Sequence, residues 1–143
     1  MSVQQLSVFV ENKQGGLAEV TRALAQEKIN ILALSIADTT DYGVLRMIVD
    51  RPEEAAEILK AQNAAVALTD VLALKMPNHP GGLDGAVQAL SKENIGIEYM
   101  YAFVCPLPGE ACMVFRVEDR EKAGKVLEDA GYLQLVTSDL YER

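Results

Sequence analysis

The chain has 143 residues, half of them hydrophobic, and a formal net charge of -8. That is enough apolar material for a packed core, with no long polar tract of the kind that stays disordered. No apolar run approaches the ~20 residues that span a membrane, and no Lys/Arg block exists to grip a nucleic-acid backbone.

The N-terminal Met1-Ser2-Val3-Gln4-Gln5 lacks the basic start and apolar stretch of a signal peptide, so a cytoplasmic location is expected. Leu6 to Val10 alternates apolar and polar residues, which reads as a strand. A turn follows, Asn12-Lys13-Gln14-Gly15-Gly16-Leu17. From Leu17 the apolar residues return at Val20, Leu24 and Ala25, a helical spacing that ends near Lys28. Ile29 to Ala37 reads as a second strand, Thr39 to Gly43 as a turn, and Val44 to Val49 as a third strand. Asp50-Arg51-Pro52-Glu53-Glu54 has the marks of a helix start, with Asp50 as the cap and Pro52 just inside. Ala55, Ile58 and Leu59 form that helix's buried stripe, and Asn63 suits its C-terminal cap. Ala65 to Leu68 is a short fourth strand, and Thr69-Asp70 is the only linker before apolar alternation resumes.

The same unit is then written again. Sixty-six residues after the first turn stands Asn78-His79-Pro80-Gly81-Gly82-Leu83. At that offset Leu6 and Val8 fall on Leu72 and Leu74, Leu24 on Leu90, and Ile29 and Ile31 on Ile95 and Ile97. Beyond the turn Cys105 to Glu110 the second copy is two residues longer, so Ala55 matches Ala123 and Asn63 matches Gly131. The order is βαββαβ, twice, in two units of residues 1–70 and 71–143. Right-handed crossovers place both helices of a unit on one face of an antiparallel sheet. The expected fold class is therefore α+β, with two ferredoxin-like units packed as one body.

Each glycine turn sits between a strand and a helix. Glycine lets the backbone take positive φ and lets a ligand come close. The helix start offers unpaired N–H groups at the positive end of its dipole, which suits a carboxylate or phosphate. The plain alternative is a tight turn that binds nothing. Cys105 and Cys112 lack zinc-ligand spacing, and the lone His79 cannot complete a site with them. They can face each other across a hairpin, yet cytosolic thiols stay reduced, so they read as two free, half-buried strand residues. No nucleophile elbow, metal cluster or phosphate-loop lysine is present. No metal or cofactor is expected, and an enzyme is the weaker class.

On the third strands, Leu45, Met47 and Val49 point to the helices, as do Met113, Phe115 and Val117. Val44, Arg46, Ile48, Cys112, Val114 and Arg116 then point away, and Leu32, Leu34 and Ile36 are expected beside them. So apolar a helix-free face is expected to be covered by a second copy, giving a homodimer.

A doubled βαββαβ with an Asn-x-x-Gly-Gly-Leu turn after the first strand resembles the ACT domain, a small regulatory module of amino-acid biosynthetic enzymes. Asn12, Gly16 and Leu17 match the family turn, and Ile29-Asn30-Ile31 matches the motif that opens the second strand. The resemblance spans nearly the whole chain and implies a non-catalytic amino-acid sensor. Its ligand would lie between the glycine turn of one unit and the second strand of the other. Asn12 and Asn30 correspond to residues that hold the ligand in serine-sensing members. The first turn (Asn12, Gly15, Gly16, Leu17) would face Glu98, Tyr99, Met100 and Tyr101, and the second (Asn78, Gly81, Gly82, Leu83) would face Leu32-Ala33-Leu34-Ser35. Carbonyls of an edge strand, or the carboxylates of Asp38 or Glu98, would receive the ammonium group. Because Gly96 stands where Asn30 does, the two sites would differ. The resemblance also implies a partner enzyme of amino-acid metabolism. A structural subunit that binds no small molecule, or a small metabolic enzyme, are the alternatives.

Overall fold

A computed structural model describes residues 2–11, 15–38, 42–105 and 108–141, the side chains of Asp38 and Tyr141 excepted. Inter-residue contacts divide the chain into Gln4–Asp70 and a second unit that begins at Val71 and takes in Ser2 and Val3. No helix among the described residues is long and apolar enough to cross a membrane.

The first unit contains β1 (Val3–Glu11), α1 (Gly16–Gln26), β2 (Ile31–Asp38), β3 (Tyr42–Val49) and α2 (Pro52–Lys60). It is completed by the first half of β4, which runs unbroken over Ala65–Pro77. The short strand and linker expected at residues 65–70 are thus the start of one longer strand. Nothing at Thr69-Asp70 breaks an extended backbone, so the ladder carries through. The order in this unit is β4-β1-β3-β2, all antiparallel where the register is defined. The second unit uses the rest of β4, α3 (Gly82–Lys92), β5 (Ile97–Phe103), β6 (Glu110–Val117), α4 (Arg120–Asp129) and β7 (Leu133–Leu135). Its order is β7-β4-β6-β5, the same ferredoxin-like arrangement. A short α5 (Thr137–Tyr141) follows, anchored where the Thr137 hydroxyl donates to the Ser2 carbonyl at 2.9 Å.

Each unit has its own core on the helix side of its sheet. In the first, Leu6, Val8, Leu45 and Met47 from the strands meet Leu24 of α1 and Leu59 of α2. In the second, Leu72, Leu74 and Phe115 meet Leu90 and Leu127. The amphipathic spacing of each helix therefore buries one stripe against one sheet face.

All four repeat helices end alike. Lys28, Asn63, Asn94 and Gly131 have positive φ, at 59°, 65°, 57° and 93°. In each case the next N–H reaches back to the helix, as Ile29 does to the Leu24 carbonyl at 3.0 Å and Tyr132 to Leu127 at 2.9 Å. This is the Schellman ending, which favours Gly or Asn. Lys28 is the misfit, because a Cβ in the left-handed region costs about 1–2 kcal/mol. Its side chain is exposed and lost cheaply. Lys28→Gly is expected to stabilise the first unit by about 1 kcal/mol in urea titration.

Asp50 does not cap α2. The cap position is Arg51, and the Asp50 carboxylate instead accepts the Asn30 N–H at 3.0 Å. Arg51 donates to the Glu27 and Lys28 carbonyls at 2.8 and 2.7 Å, tying the end of α1 to the start of α2. In the second unit Asp119 does cap α4, accepting the Lys122 N–H at 3.1 Å.

The second strands correct the expected facing. β2 carries a bulge between Ile31 and Ala33, so Ala33 pairs with Ile48, Leu34 with Met47 and Ile36 with Leu45. Opposed residues of a ladder share a face, which puts Leu34 and Ile36 on the helix side. Both are exposed there, at 43% and 51%. One extra residue in a strand reverses every side chain beyond it. β5 has its bulge at the matching place, between Ile97 and Tyr99. The helix-free face is not an exposed apolar surface either. Ile48 and Val114 are fully buried, and Leu32 and Cys112 nearly so.

Candidate functional site

The two glycine turns have the same backbone. Gly15 and Gly81 have φ of 90° and 89°, each one residue before its helix. Neither can offer a side-chain cap, and their carbonyls accept the first helical bonds, from Glu19 and Gly85. The early N–H groups of α1 and α3 have no partner within their own helix. A Cβ at Gly15 or Gly81 would meet nothing within 4 Å. Leu17 and Leu83, one residue into each helix, are both 39% exposed. The turns are therefore open at the anion-favouring end of a helix dipole.

The second glycine of each turn has a different cause. A Cβ on Gly16 would stand 2.6 Å from a Val10 methyl and 3.2 Å from the Glu11 carbonyl. A Cβ on Gly82 would strike the Pro77 carbonyl oxygen. The chain's own return path excludes side chains there, whatever ligand is present. The Gly82 N–H is also engaged, donating to the His79 carbonyl at 3.0 Å.

Asn12 lies outside the described residues, as does the side chain of Asp38. The backbone of Asp38 pairs with Gly43 at the end of the β2–β3 ladder. Asn30 is exposed, with its N–H held by Asp50. Ser35 pairs with Arg46 on the helix-free face. Asn78 is exposed, and its N–H donates to the Gly109 carbonyl at 2.9 Å. Tyr99 and Tyr101 share a row with Arg116 and Val114, and their rings stack with centroids 6.5 Å apart. Glu98 sits in the β5 bulge and pairs with the Arg116 guanidinium at 3.5 Å. Met100 is placed apart from the tyrosines: it pairs with Phe115 and packs on the helix-side core. The second strands thus present small residues in one unit (Ala33, Ser35) and aromatic ones in the other (Tyr99, Tyr101, Phe103).

Sequence reasoning missed Tyr132. Its hydroxyl donates to the Gly82 carbonyl at 3.2 Å and also occupies the place of a Cβ on Gly85. The signal was a glycine inside a helical pattern, which asks for a packing reason. Gly85→Ala is expected to destabilise the protein, because the ring must shift and its hydrogen bond with it. In a Tyr132→Phe background the same change should stabilise by about 0.5–1 kcal/mol, the helical advantage of Ala over Gly. A double-mutant cycle in urea, with coupling of that sign, checks the contact.

Among the described residues no group of three or more His, Cys, Asp or Glu could hold a metal ion. Both cysteines are free; Cys112 is buried rather than half-buried, and burial pushes its thiol up to about 12.

The family model of the ACT domain pair matches residues 1–141. A crystal structure of a protein from Bacteroides thetaiotaomicron is 43% identical, with a TM-score of 0.92, over 100% of this chain and 98% of that one. The regulatory subunit of aspartate kinase from Thermus thermophilus shares the fold at 17% identity and a TM-score of 0.67, over 92% and 94% of the two chains. That from Thermus flavus does so at 16% and 0.62, over 91% and 93%. No curated protein sequence matches. With the repeat, the paired glycine turns and a family match over residues 1–141, the chain belongs to the ACT domain pair family.

Proposed function

We propose that the protein is a non-catalytic sensor of a free amino acid that regulates an enzyme of amino-acid metabolism in the cytoplasm. The observation that carries this reading is the duplicated open turn. Gly15 and Gly81 each leave a helix start with no side-chain cap and nothing within 4 Å of a Cβ. An α-carboxylate fits that environment, through backbone N–H groups and the helix dipole. Charge-assisted hydrogen bonds contribute about 1.5–3 kcal/mol each. Micromolar affinity needs about 8 kcal/mol in all, so a few such bonds and one buried side chain are sufficient.

Asn12 and Asn30, or Asn78, would be further polar contacts. Tyr99, stacked on the buried Tyr101, offers aromatic surface, and Ser35 offers a small one. Glu98 would take the ammonium group only in competition with Arg116, its present partner. The two sites would therefore differ in affinity. A structural subunit is the second reading, and Gly16 and Gly82 favour it, since packing alone accounts for them.

The test is a thermal-shift screen of the twenty amino acids at millimolar concentration. A ligand at a hundred times its Kd adds about 2.7 kcal/mol of apparent stability, so one or a few should raise Tm. Gly15→Asn and Gly81→Asn sharpen it. Asn tolerates positive φ, and its side chain would enter the open space over the helix start. The shift should be lost in at least one variant that still folds. A flat profile across all twenty overturns the sensor reading, and a shift untouched in both variants overturns the site.

A further inference from the structure

We propose that Tyr132 is a positioning residue for amino-acid binding at the second glycine turn, where it sharpens a donor that the first turn leaves unbraced. The inference rests on the sensor reading above and deepens it. Tyr132 follows Gly131, the positive-φ residue that ends α4, and its N–H reaches back to the Leu127 carbonyl at 2.9 Å. Its ring packs on the core of the second unit. Backbone and ring are thus both held, and the hydroxyl has one direction left. It enters α3 where Gly85 has no Cβ and donates to the Gly82 carbonyl at 3.2 Å.

The Gly82 carbonyl and the Leu83 N–H belong to one planar peptide group. Holding the oxygen therefore fixes the direction of the N–H. A bond accepted at the oxygen also polarises the group, which makes the N–H a stronger donor. Leu83 lies in the first turn of α3, where N–H groups have no partner within the helix. The Gly82 N–H is already given to the His79 carbonyl at 3.0 Å, so Leu83 is the next donor a carboxylate would meet. A donor fixed before binding costs less to order when the carboxylate arrives. The first unit has no such brace. By the repeat, Ala64 stands where Tyr132 does, and Glu19 stands where Gly85 does. Ala64 packs on the core of its own unit and has no hydroxyl to offer. Leu17 is the residue that matches Leu83, and nothing equivalent holds the peptide before it.

The experiment labels the leucine amides of the full chain with nitrogen-15 and titrates it with an equimolar mixture of the twenty amino acids. The Leu83 and Leu17 resonances then report the two turns in one molecule. In Tyr132→Phe the midpoint read at Leu83 should rise about fivefold, the worth of one ordinary hydrogen bond, while the midpoint at Leu17 stays. A merely structural Tyr132 would lower the urea midpoint and leave both titration midpoints where they were, which overturns the proposal. So does a rise shared equally by Leu17 and Leu83, or a wild type in which Leu17 responds and Leu83 does not. These results leave the sensor reading standing. A wild type in which neither amide moves overturns the sensor reading, and this inference with it. Should Tyr132→Phe fail to fold, the reverse graft decides. Glu19→Gly with Ala64→Tyr should lower the midpoint at Leu17 by a similar factor, and an unchanged midpoint there overturns the proposal.

Discussion

Phe115→Ala should cost about 3–5 kcal/mol, the range for deleting a buried aromatic ring. Phe115 is fully buried and has the largest volume of any such side chain among the described residues. It sits on β6 between Leu72 of β4 and Met100 of β5, and it faces the core shared with Leu90 and Leu127. Four elements of the second unit therefore lose a common partner. Small domains have only about 5–15 kcal/mol to lose, so most of the unit's stability should go. Urea unfolding followed by tyrosine fluorescence measures it, since Tyr99, Tyr101 and Tyr132 all lie in this unit. The matching residue of the first unit is Met47, equally buried. A flexible thioether leaves a more adaptable gap, so Met47→Ala should cost less, nearer the bottom of the 2–5 kcal/mol range. A loss below about 2 kcal/mol for Phe115→Ala would contradict the common-partner reading of this core.

The repeat was legible because period and punctuation survive divergence. Leu6 and Val8 on β1, and Leu72 and Leu74 on β4, announce helix-facing rows, and all four are buried on the helix side. The ends of the helices were legible at Asn63, whose side chain tolerates positive φ, and illegible at Lys28, whose residue type contradicts its backbone. The bulges at Leu32 and Glu98 left no trace in the pattern. A bulge is detected by a phase break in alternation, and β2 is apolar on both faces, so its phase was undefined. Gln5 and Ser7 show the opposite failure. They are polar residues in a strand, yet both are buried, with the Gln5 amide donating to Ser7 Oγ at 3.0 Å. Alternation reports polarity, not exposure. The glycine turns were found as motifs, but the division of labour within each was not. Only coordinates show that one glycine is set by φ and the other by what its Cβ would strike.

That division predicts unequal effects at the second glycines. Gly82→Ala should destabilise by about 3 kcal/mol, the upper part of the usual range for overpacking. The added methyl would strike the Pro77 carbonyl oxygen, which is backbone at the end of β4. No rotamer change can clear it. Either the first turn of α3 or the last residue of the ladder must move. The Tyr132 hydroxyl, held on the Gly82 carbonyl, would be displaced as well. At Gly16 the obstacle is a Val10 methyl at 2.6 Å, and the nearest backbone atom is 3.2 Å away. Gly16→Ala should therefore cost nearer 1 kcal/mol, and part of that should return in a Val10→Ala background. No such trimming can rescue Gly82→Ala, because its obstacle is not a side chain. Equal losses at the two sites, or no rescue at Gly16, would show that the difference between a side-chain and a backbone obstacle does not set the cost. The same geometry governs how amino-acid binding is to be probed. A bulky residue at Gly16 or Gly82 would disturb the strand–helix junction, so a loss of binding there would not locate the proposed ligand. Gly15 and Gly81 are the informative positions for the proposed site, since an added Cβ there would meet nothing within 4 Å.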